Sequence, residues 1–319
     1  MRIVFFGTPE FAVPSLAALQ RAGHDVALVV TQPDRPRGRH HSALEPCPVK
    51  AAALAAGLPV LSPERPRGEE FLAAVRDAQP DLGVVVAYGH LLRPELLAIP
   101  RLGMVNVHAS LLPRWRGAAP IHWAIASGDA ETGVAIMRVE EGLDSGGTWL
   151  VKRLPIRDSD TTGSLFHDLA ELGAEALVEA LPRIAAGEAP VPQPSEGVTL
   201  APKVSREDAR LDWTKPVREV SCRLRAMTPY PGAWTSLDGR DVKIGPAGEG
   251  HGVWGEGDHT PSGLRPAACG SFHLVDDVLY IQCADGWLPI GTVTPAGGRK
   301  TDAATWYRGA RLAPDARFA

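Results

Sequence analysis

The feature that most constrains this chain is an alternation in its first half between short Val- and Ile-rich runs and stretches of helical periodicity. The runs fall at residues 2–6, 26–30, 83–86 and 104–107, and the helical patterns at 13–22, 49–56, 69–78 and 93–98. Near-continuous apolar runs of that length are strands buried on both faces. Strands separated by helices pair in parallel, so the pattern predicts an α/β domain with a doubly wound, mostly parallel, Rossmann-like sheet. A helix around 119–127 and a strand at 134–139 extend it. After a strand at 149–156 comes a long helix over 162–186, marked by Leu165, Leu169, Leu172, Ala176, Leu177 and Leu181 at helical spacing.

The character then changes. Residues 188–197 are Pro-rich, polar and aperiodic, which is the composition of an extended interdomain linker. Beyond Arg206 the chain shows short strand-like runs at 233–237, 242–244, 272–275, 279–282 and 288–293, broken by Gly and Pro. Those runs predict a small C-terminal β-barrel of OB-like type. A length of 319 residues fits two domains. The expected division is 1–188, a linker over 189–206, and 207–319. The Gly-, Pro- and His-rich stretch 246–270 is expected to be an exposed loop.

Several classes are excluded. No apolar run reaches the ~18 residues that a membrane span needs. The apolar opening is cut by Gly7-Thr8-Pro9, too early for a signal peptide, so the expected location is cytoplasmic. Cys47, Cys222, Cys269 and Cys283 lack Cys-x-x-Cys spacing and read as free thiols, and no His-x-x-x-His pair suggests a metal. A net charge of −4 argues against a uniformly basic nucleic-acid protein.

Four motifs remain. Gly7 to Phe11 sits where a dinucleotide-binding fold carries Gly-x-Gly-x-x-Gly, but Pro9 and Glu10 replace glycines and Glu10 would repel a phosphate, which disfavours NAD. Asn106 and His108 lie at i and i+2 near the end of a strand, so both point to one face. An amide donor beside a group that exchanges protons near neutral pH suits acyl transfer. The alternative is a pair of satisfied polar residues at the sheet. Asp144, among glycines after a strand, is either a turn residue or a carboxylate delivered to orient a histidine. The segment 34–41 holds Arg35, Arg37 and Arg39 with His40 and His41, without helical or strand pattern. It reads as a solvated basic loop or as a phosphate-contacting finger. The region through Pro202 carries 18 Lys and Arg against 23 Asp and Glu, so this cluster stands on an acidic background.

Taken together, Asn106-x-His108, the string from Ser110 to Gly117 (Ser-Leu-Leu-Pro-Arg-Trp-Arg-Gly) and Gly142-Leu-Asp144 resemble the folate-dependent formyltransferases. The similarity extends through Thr31–Pro36 (Thr-Gln-Pro-Asp-Arg-Pro), Val84–Gly89 (Val-Val-Val-Ala-Tyr-Gly) and Pro295–Lys300 (Pro-Ala-Gly-Gly-Arg-Lys) over nearly the whole chain. The longer string and the second domain are similar to the tRNA-acting members. The resemblance implies a 10-formyltetrahydrofolate co-substrate, no metal, and a charged initiator tRNA whose methionyl α-amino group accepts the formyl group. It further implies catalytic roles for Asn106, His108 and Asp144, folate contact at Ser110, Leu111, Leu112 and Pro113, and tRNA contact at Arg35, Arg37 and Arg39, in a monomer without membrane contact. The Asn/His/Asp set is shared with purine and sugar-amine members, so an amino-sugar nucleotide acceptor stays open, as does a non-catalytic tRNA-binding protein on the same fold. Ala109 replaces a frequent Gly, Gly147 a frequent Asp, and His40-His41-Ser42 a Gly-Lys-Lys, which implies weaker or more pH-dependent tRNA affinity.

Overall fold

The computed structural model describes residues 1–37, 43–247 and 264–319. In chain order the first part runs β1 (Arg2–Gly7), α1 (Val13–Arg21), β2 (Asp25–Val30), β3 (Arg35–Arg37), β4 (Ala43–Glu45), α2 (Pro48–Ala55), β5 (Val60–Leu61), α3 (Glu69–Asp77), β6 (Leu82–Val86), α4 (Pro94–Leu97) and β7 (Met104–His108). It continues through β8 (Arg116–Gly117), α5 (Pro120–Ala126), β9 (Glu131–Arg138), β10 (Thr148–Pro155), α6 (Thr162–Ala185) and β11 (Leu200–Ala201). The remainder is α7 (Val217–Ala226), β12 (Trp234–Leu237), β13 (Arg240–Pro246), β14 (Phe272–Val275), β15 (Val278–Gln282), β16 (Trp287–Pro295), β17 (Thr301–Asp302) and α8 (Ala303–Gly309). Two compact units result. Unit 1 comprises Met1–Pro120, Thr132–Leu154 and Phe166–Ala201, and unit 2 comprises Ile121–Glu131, Pro155–Leu165 and Pro202–Ala319.

Unit 1 is built on a seven-stranded sheet ordered β10-β9-β7-β6-β1-β2-β5. The pairs β1/β2, β2/β5, β1/β6 and β6/β7 are parallel, and β7/β9 is antiparallel. The sheet is therefore mixed, with its parallel core where the Val/Ile runs predict it. Ile3, Val4, Phe5 and Phe6 of β1 are fully buried, as a central strand covered on both faces requires. Val4 and Phe6 join Leu28, Val30, Phe71, Leu72, Val75, Tyr88, Leu96 and Met104 in one core cluster. Each fully buried side chain of that size stabilises the fold by about 1.5–3 kcal/mol. Strand order reverses about β1, and the carboxyl ends of β1, β6 and β7 meet there, where open α/β sheets bind ligands. On α6, Gly173 lets helix and strand approach closely: a Cβ there would stand 2.7 Å from Val107 Cγ1. That contact seats β7, the strand carrying the polar pair.

Unit 2 is an antiparallel sheet ordered β12-β13-β16-β15-β14, with β17 paired to β16. Phe272, Trp306 and Phe318 pack there with ring centroids 4.7–5.9 Å apart. Two helices appear that the strand-only reading of this region did not contain. Helix α7 buries Val217, Val220 and Leu224 on one stripe, and α8 is capped by Asp302, whose Oδ1 accepts from Thr305 N at 2.9 Å. All four cysteines are free. Among the described residues, no helix is long and apolar enough to cross a membrane. The Gly-rich stretch lies, over 248–263, outside the described residues.

Unit 2 also carries a titratable group with a defined sign. Burial, partly offset by the bond that His122 Nε2 donates to Tyr230 O at 3.1 Å, holds His122 below its ordinary value of 6.5. The unfolded chain then binds a proton before the folded one as pH falls, so stability declines on acidification through that range. His24, also held low by burial, adds the same sign. His122→Gln is expected to flatten the slope of melting temperature against pH as the pH falls below 6.5. Melting curves across that range check it, and an unchanged slope would assign the effect elsewhere.

Candidate active site

Strand β7 delivers the polar pair. It lies between β6, where Asn106 aligns with Val85, and β9, where Asn106 aligns with Met137 and His108 with Ala135. Strand alternation puts Asn106 and His108 on one face. Met104, Val105, Val107 and His108 are buried while Asn106 stays partly exposed, so the amide keeps access to the crevice. His108 Nε2 lies 2.9 Å from the backbone carbonyl oxygen of Trp115 in a buried contact. A carbonyl only accepts, so Nε2 carries the hydrogen and donates it. That leaves Nδ1 as the edge at which the neutral ring can take up a proton.

Asp144 meets that edge. Its Oδ2 is 3.7 Å from His108 Nδ1 and accepts a hydrogen bond from Gly117 N at 2.8 Å. At 3.7 Å the carboxylate is too far for a direct hydrogen bond to Nδ1, but close enough to stabilise a charged ring. Asp144 therefore reaches the histidine as a charge, its oxygen held by a backbone N–H. Its own φ of +45° lies in the left-handed region, so the 144 loop needs other contacts to keep that shape.

The loop between β7 and α5 closes on itself. Ser110 is fully buried, and its hydroxyl donates to Arg114 O at 2.7 Å. Leu111, Leu112 and Pro113 are half-buried, and the Leu112–Pro113 bond is cis. Trp115 takes φ +63°, with the Arg114 guanidinium 4.4 Å from its ring centroid. Gly117 takes φ +126°, and a Cβ there would lie 2.6 Å from Ala201 O. Gly7 is required by packing, since a Cβ would stand 2.8–3.2 Å from Phe5, Ala12 and Val86 O.

The basic segment is more ordered than its sequence pattern predicts. β3 pairs antiparallel with β4, with Arg35 opposite Glu45 and Arg37 opposite Ala43, so 35–37 is a short ladder strand rather than patternless loop. Arg39, His40 and His41 lie outside the described residues. The structure thus brings Asn106, His108 and Asp144 into one place with the 110–117 loop.

Sequence reasoning missed the segment that follows α6. It is extended, as its prolines predict, and it is bound to unit 1 by contacts that the sequence pattern does not show. Val191 bridges Thr148, Gln193 binds the 144–146 loop and Arg116, and Thr199 binds Trp115. β11 pairs in parallel with β8. The only sequence signal is the polar Gln193 between two prolines and Thr199 between two apolar residues. Their partners lie 47 to 84 residues away, beyond any local pattern.

A Rossmann-like unit thus gathers Asn106, His108 and Asp144 beside the loop that follows β7, a set of groups with the chemistry that acyl or one-carbon transfer would need. The chain belongs to the formyl transferase family, whose model matches residues 1–181, with the family's C-terminal domain matching residues 203–311. It is 48% identical over 314 residues to the methionyl-tRNA formyltransferase of Myxococcus xanthus, covering 98% of this chain and 96% of that one. It is 47% identical to the enzyme of the same name from Acidothermus cellulolyticus, with 100% of both chains covered. Among solved structures, HypX from Aquifex aeolicus in complex with tetrahydrofolic acid superimposes with a TM-score of 0.64 at 19% identity. That match covers 96% of this chain, which spans 46% of HypX. An N-formyltransferase from Helicobacter canadensis, in complex with folinic acid and dTDP-3-aminofucose, gives 0.63 at 14% identity over 94% of this chain and 100% of that one. At such identities the two structures establish a shared fold.

Gly117→Ala tests the loop geometry. A side chain at φ +126°, facing a carbonyl at 2.6 Å, should cost about 1–3 kcal/mol in backbone strain. A lowered denaturation midpoint checks this, and an unchanged one would show that the loop relaxes freely.

Proposed function

We propose that the protein transfers the formyl group of 10-formyltetrahydrofolate to the α-amino group of methionyl initiator tRNA, in support of translation initiation. The observation that carries this reading is the full-length relationship, at 47–48% identity, to methionyl-tRNA formyltransferases. In this reading the folate is a second substrate, and the charged tRNA partner makes the protein a cytoplasmic one.

The chemistry follows from the three side chains. The amine attacks the formyl carbon unprotonated, and the formyl oxygen gains negative charge as the tetrahedral intermediate forms. The Asn106 amide donates to that oxygen. His108 takes the amine proton at Nδ1, because Nε2 is committed to Trp115 O. The resulting imidazolium faces the Asp144 carboxylate, so the charged state of the ring is stabilised when it forms. As the bond from the formyl carbon to the folate nitrogen breaks, His108 returns the proton to that nitrogen. The ring and the carboxylate end the cycle as they began it. Leu111, Leu112 and Pro113 line the folate, while the Ser110 hydroxyl, already donated to Arg114, shapes the loop.

Arg35, Arg37 and Arg39 contact the tRNA phosphates, and the C-terminal unit supplies the rest of the tRNA surface. A local cluster of this kind steers a polyanion even on a chain of net charge −4. Replacing all three arginines with alanine should reduce the slope of log affinity against log salt by about 2–3, at ~0.7–0.9 per lost contact. A filter-binding salt series checks it, and an unaltered slope would remove the segment from the interface.

The decisive assay supplies 10-formyltetrahydrofolate with charged initiator tRNA, and separately with an amino-sugar nucleotide. Formyl-methionyl-tRNA is the expected product, and turnover of the sugar amine alone would overturn the reading. His108→Ala should lower the rate at least ~100-fold, the contribution of a positioned proton-transfer group. Near-normal turnover of that variant would return His108 to a purely structural role.

A further inference from the structure

Between the two matched family regions lies a segment that turns only a few side chains inward. From Val191 to Leu200 every residue is exposed except Gln193 and Thr199. Gln193 uses its whole hydrogen-bonding capacity on the site. Its Nε2 donates to Asp144 O at 2.8 Å and to Gly146 O at 2.7 Å, and its Oε1 accepts from Arg116 Nε at 3.1 Å and Nη2 at 2.7 Å. Two carbonyls demand the NH₂ group and a guanidinium demands the oxygen, so the orientation of the amide is forced. No other side chain of that length supplies two donors and an acceptor: glutamate cannot donate, and lysine cannot accept.

Thr199 makes the matching contact on the other side. Its Oγ1 accepts from Trp115 N at 2.8 Å, and its carbonyl accepts from Arg116 N at 2.9 Å. Trp115 is the residue whose carbonyl binds His108 Nε2. The segment therefore grips both members of the reacting pair, each through backbone: Gln193 through the strained 144 turn, Thr199 through the left-handed Trp115. Val191 and Thr148 exchange two backbone bonds at 2.8 and 2.9 Å, and Ala118 N and Ala119 N donate to Ala201 O at 2.8 and 3.1 Å, so both ends of the strap are anchored.

We propose that Gln193 and Thr199 are positioning residues for the His108–Asp144 pair, holding the carboxylate against Nδ1 and the carbonyl against Nε2. Neither touches the reacting atoms. The expected signature is a loss of turnover without loss of substrate binding, because a displacement on the order of 1 Å in a catalytic pair costs up to about 100-fold. This inference rests on the formyl-transfer reading, so wild-type formylation is measured first. Its absence would be a failure of that reading and not of the strap.

With an active wild type, Gln193→Ala and Thr199→Val are expected to lower kcat by ~10–100-fold, with KM for tRNA and folate within about twofold. Gln193→Glu, which keeps the acceptor for Arg116 and loses both donated bonds, should match Gln193→Ala. The discriminating measurement is the same substitution made on Asp144→Asn, assayed by single turnover. A residue acting through Asp144 has little left to disturb there, so Gln193→Ala should cause less than about twofold further loss. A full multiplicative loss in that background, or a rise in KM with kcat preserved, would overturn the proposal. Circular dichroism melting of each variant separates unfolding from misplacement. Should Gln193→Ala fail to fold, Thr199→Val carries the kcat test from the other end of the strap.

Discussion

The hydrogen bond from His108 to the carbonyl of Trp115 is the constraint on which the site depends. A histidine on a strand end, left alone, divides its proton between two nitrogens and its ring among several orientations. A carbonyl 2.9 Å from Nε2 admits one tautomer and one orientation. The other nitrogen keeps its lone pair, and the Asp144 carboxylate sits against that edge rather than the other. The arrangement requires Trp115 in a left-handed conformation, which costs an ordinary residue about 1–2 kcal/mol. Burial of the indole, the guanidinium of Arg114 over its ring and the Thr199 hydroxyl on its N–H together offset that cost.

The sheet makes the polar pair affordable in place, because β7 is the last parallel strand and only its carboxyl end carries polar groups. Met104, Val105 and Val107 are each no more than 3% exposed and hold the strand in the core. Gly173 on α6 brings the helix onto Val107, so the apolar face is closed, while on the other face only Asn106, between buried Met104 and His108, stays partly exposed. The same economy appears in Asp144, whose oxygen is satisfied by Gly117 N rather than by a counter-ion. A neutral donor leaves the carboxylate its charge, which a neighbouring arginine would largely cancel.

How much of this was legible follows from the range of the interactions. The parallel core was readable because each buried strand writes its own Val/Ile run, and the 24-residue α6 because its leucines repeat at helical spacing from Leu165 to Leu181. Asn106 and His108 were readable because strand alternation is a local rule. Their meeting with Asp144 was not, since it depends on a contact 36 residues along the chain. The β3–β4 ladder was missed because Arg-Pro-Arg carries no strand pattern and its pairing residues are few. Helix α7, with Arg, Glu and Ser between its apolar positions, was hidden in a region whose Gly and Pro content spoke for strands. The extended linker was readable from its prolines, but its hydrogen bonds to the site were not, because prolines and exposed residues surround the two side chains that turn inward.

The separation between site and acceptor explains why sequence and fold speak with different force about each. Attack of a primary amine on a formyl carbon needs a donor for the oxygen, a place for the proton and a charge to steady it. Those needs are identical whether the amine belongs to a sugar or an aminoacyl ester. Structures at 14–19% identity accordingly share the fold with this chain while their bound molecules differ. Choice of acceptor is a difference in binding free energy, and 1.4 kcal/mol is already tenfold. Such differences are set by groups remote from the reacting carbon, where a large polyanionic acceptor offers many phosphates and a nucleotide sugar only two. Under the proposed function that difference falls to Arg35, Arg37, Arg39 and the C-terminal unit, because β7 carries only the groups that the shared chemistry needs.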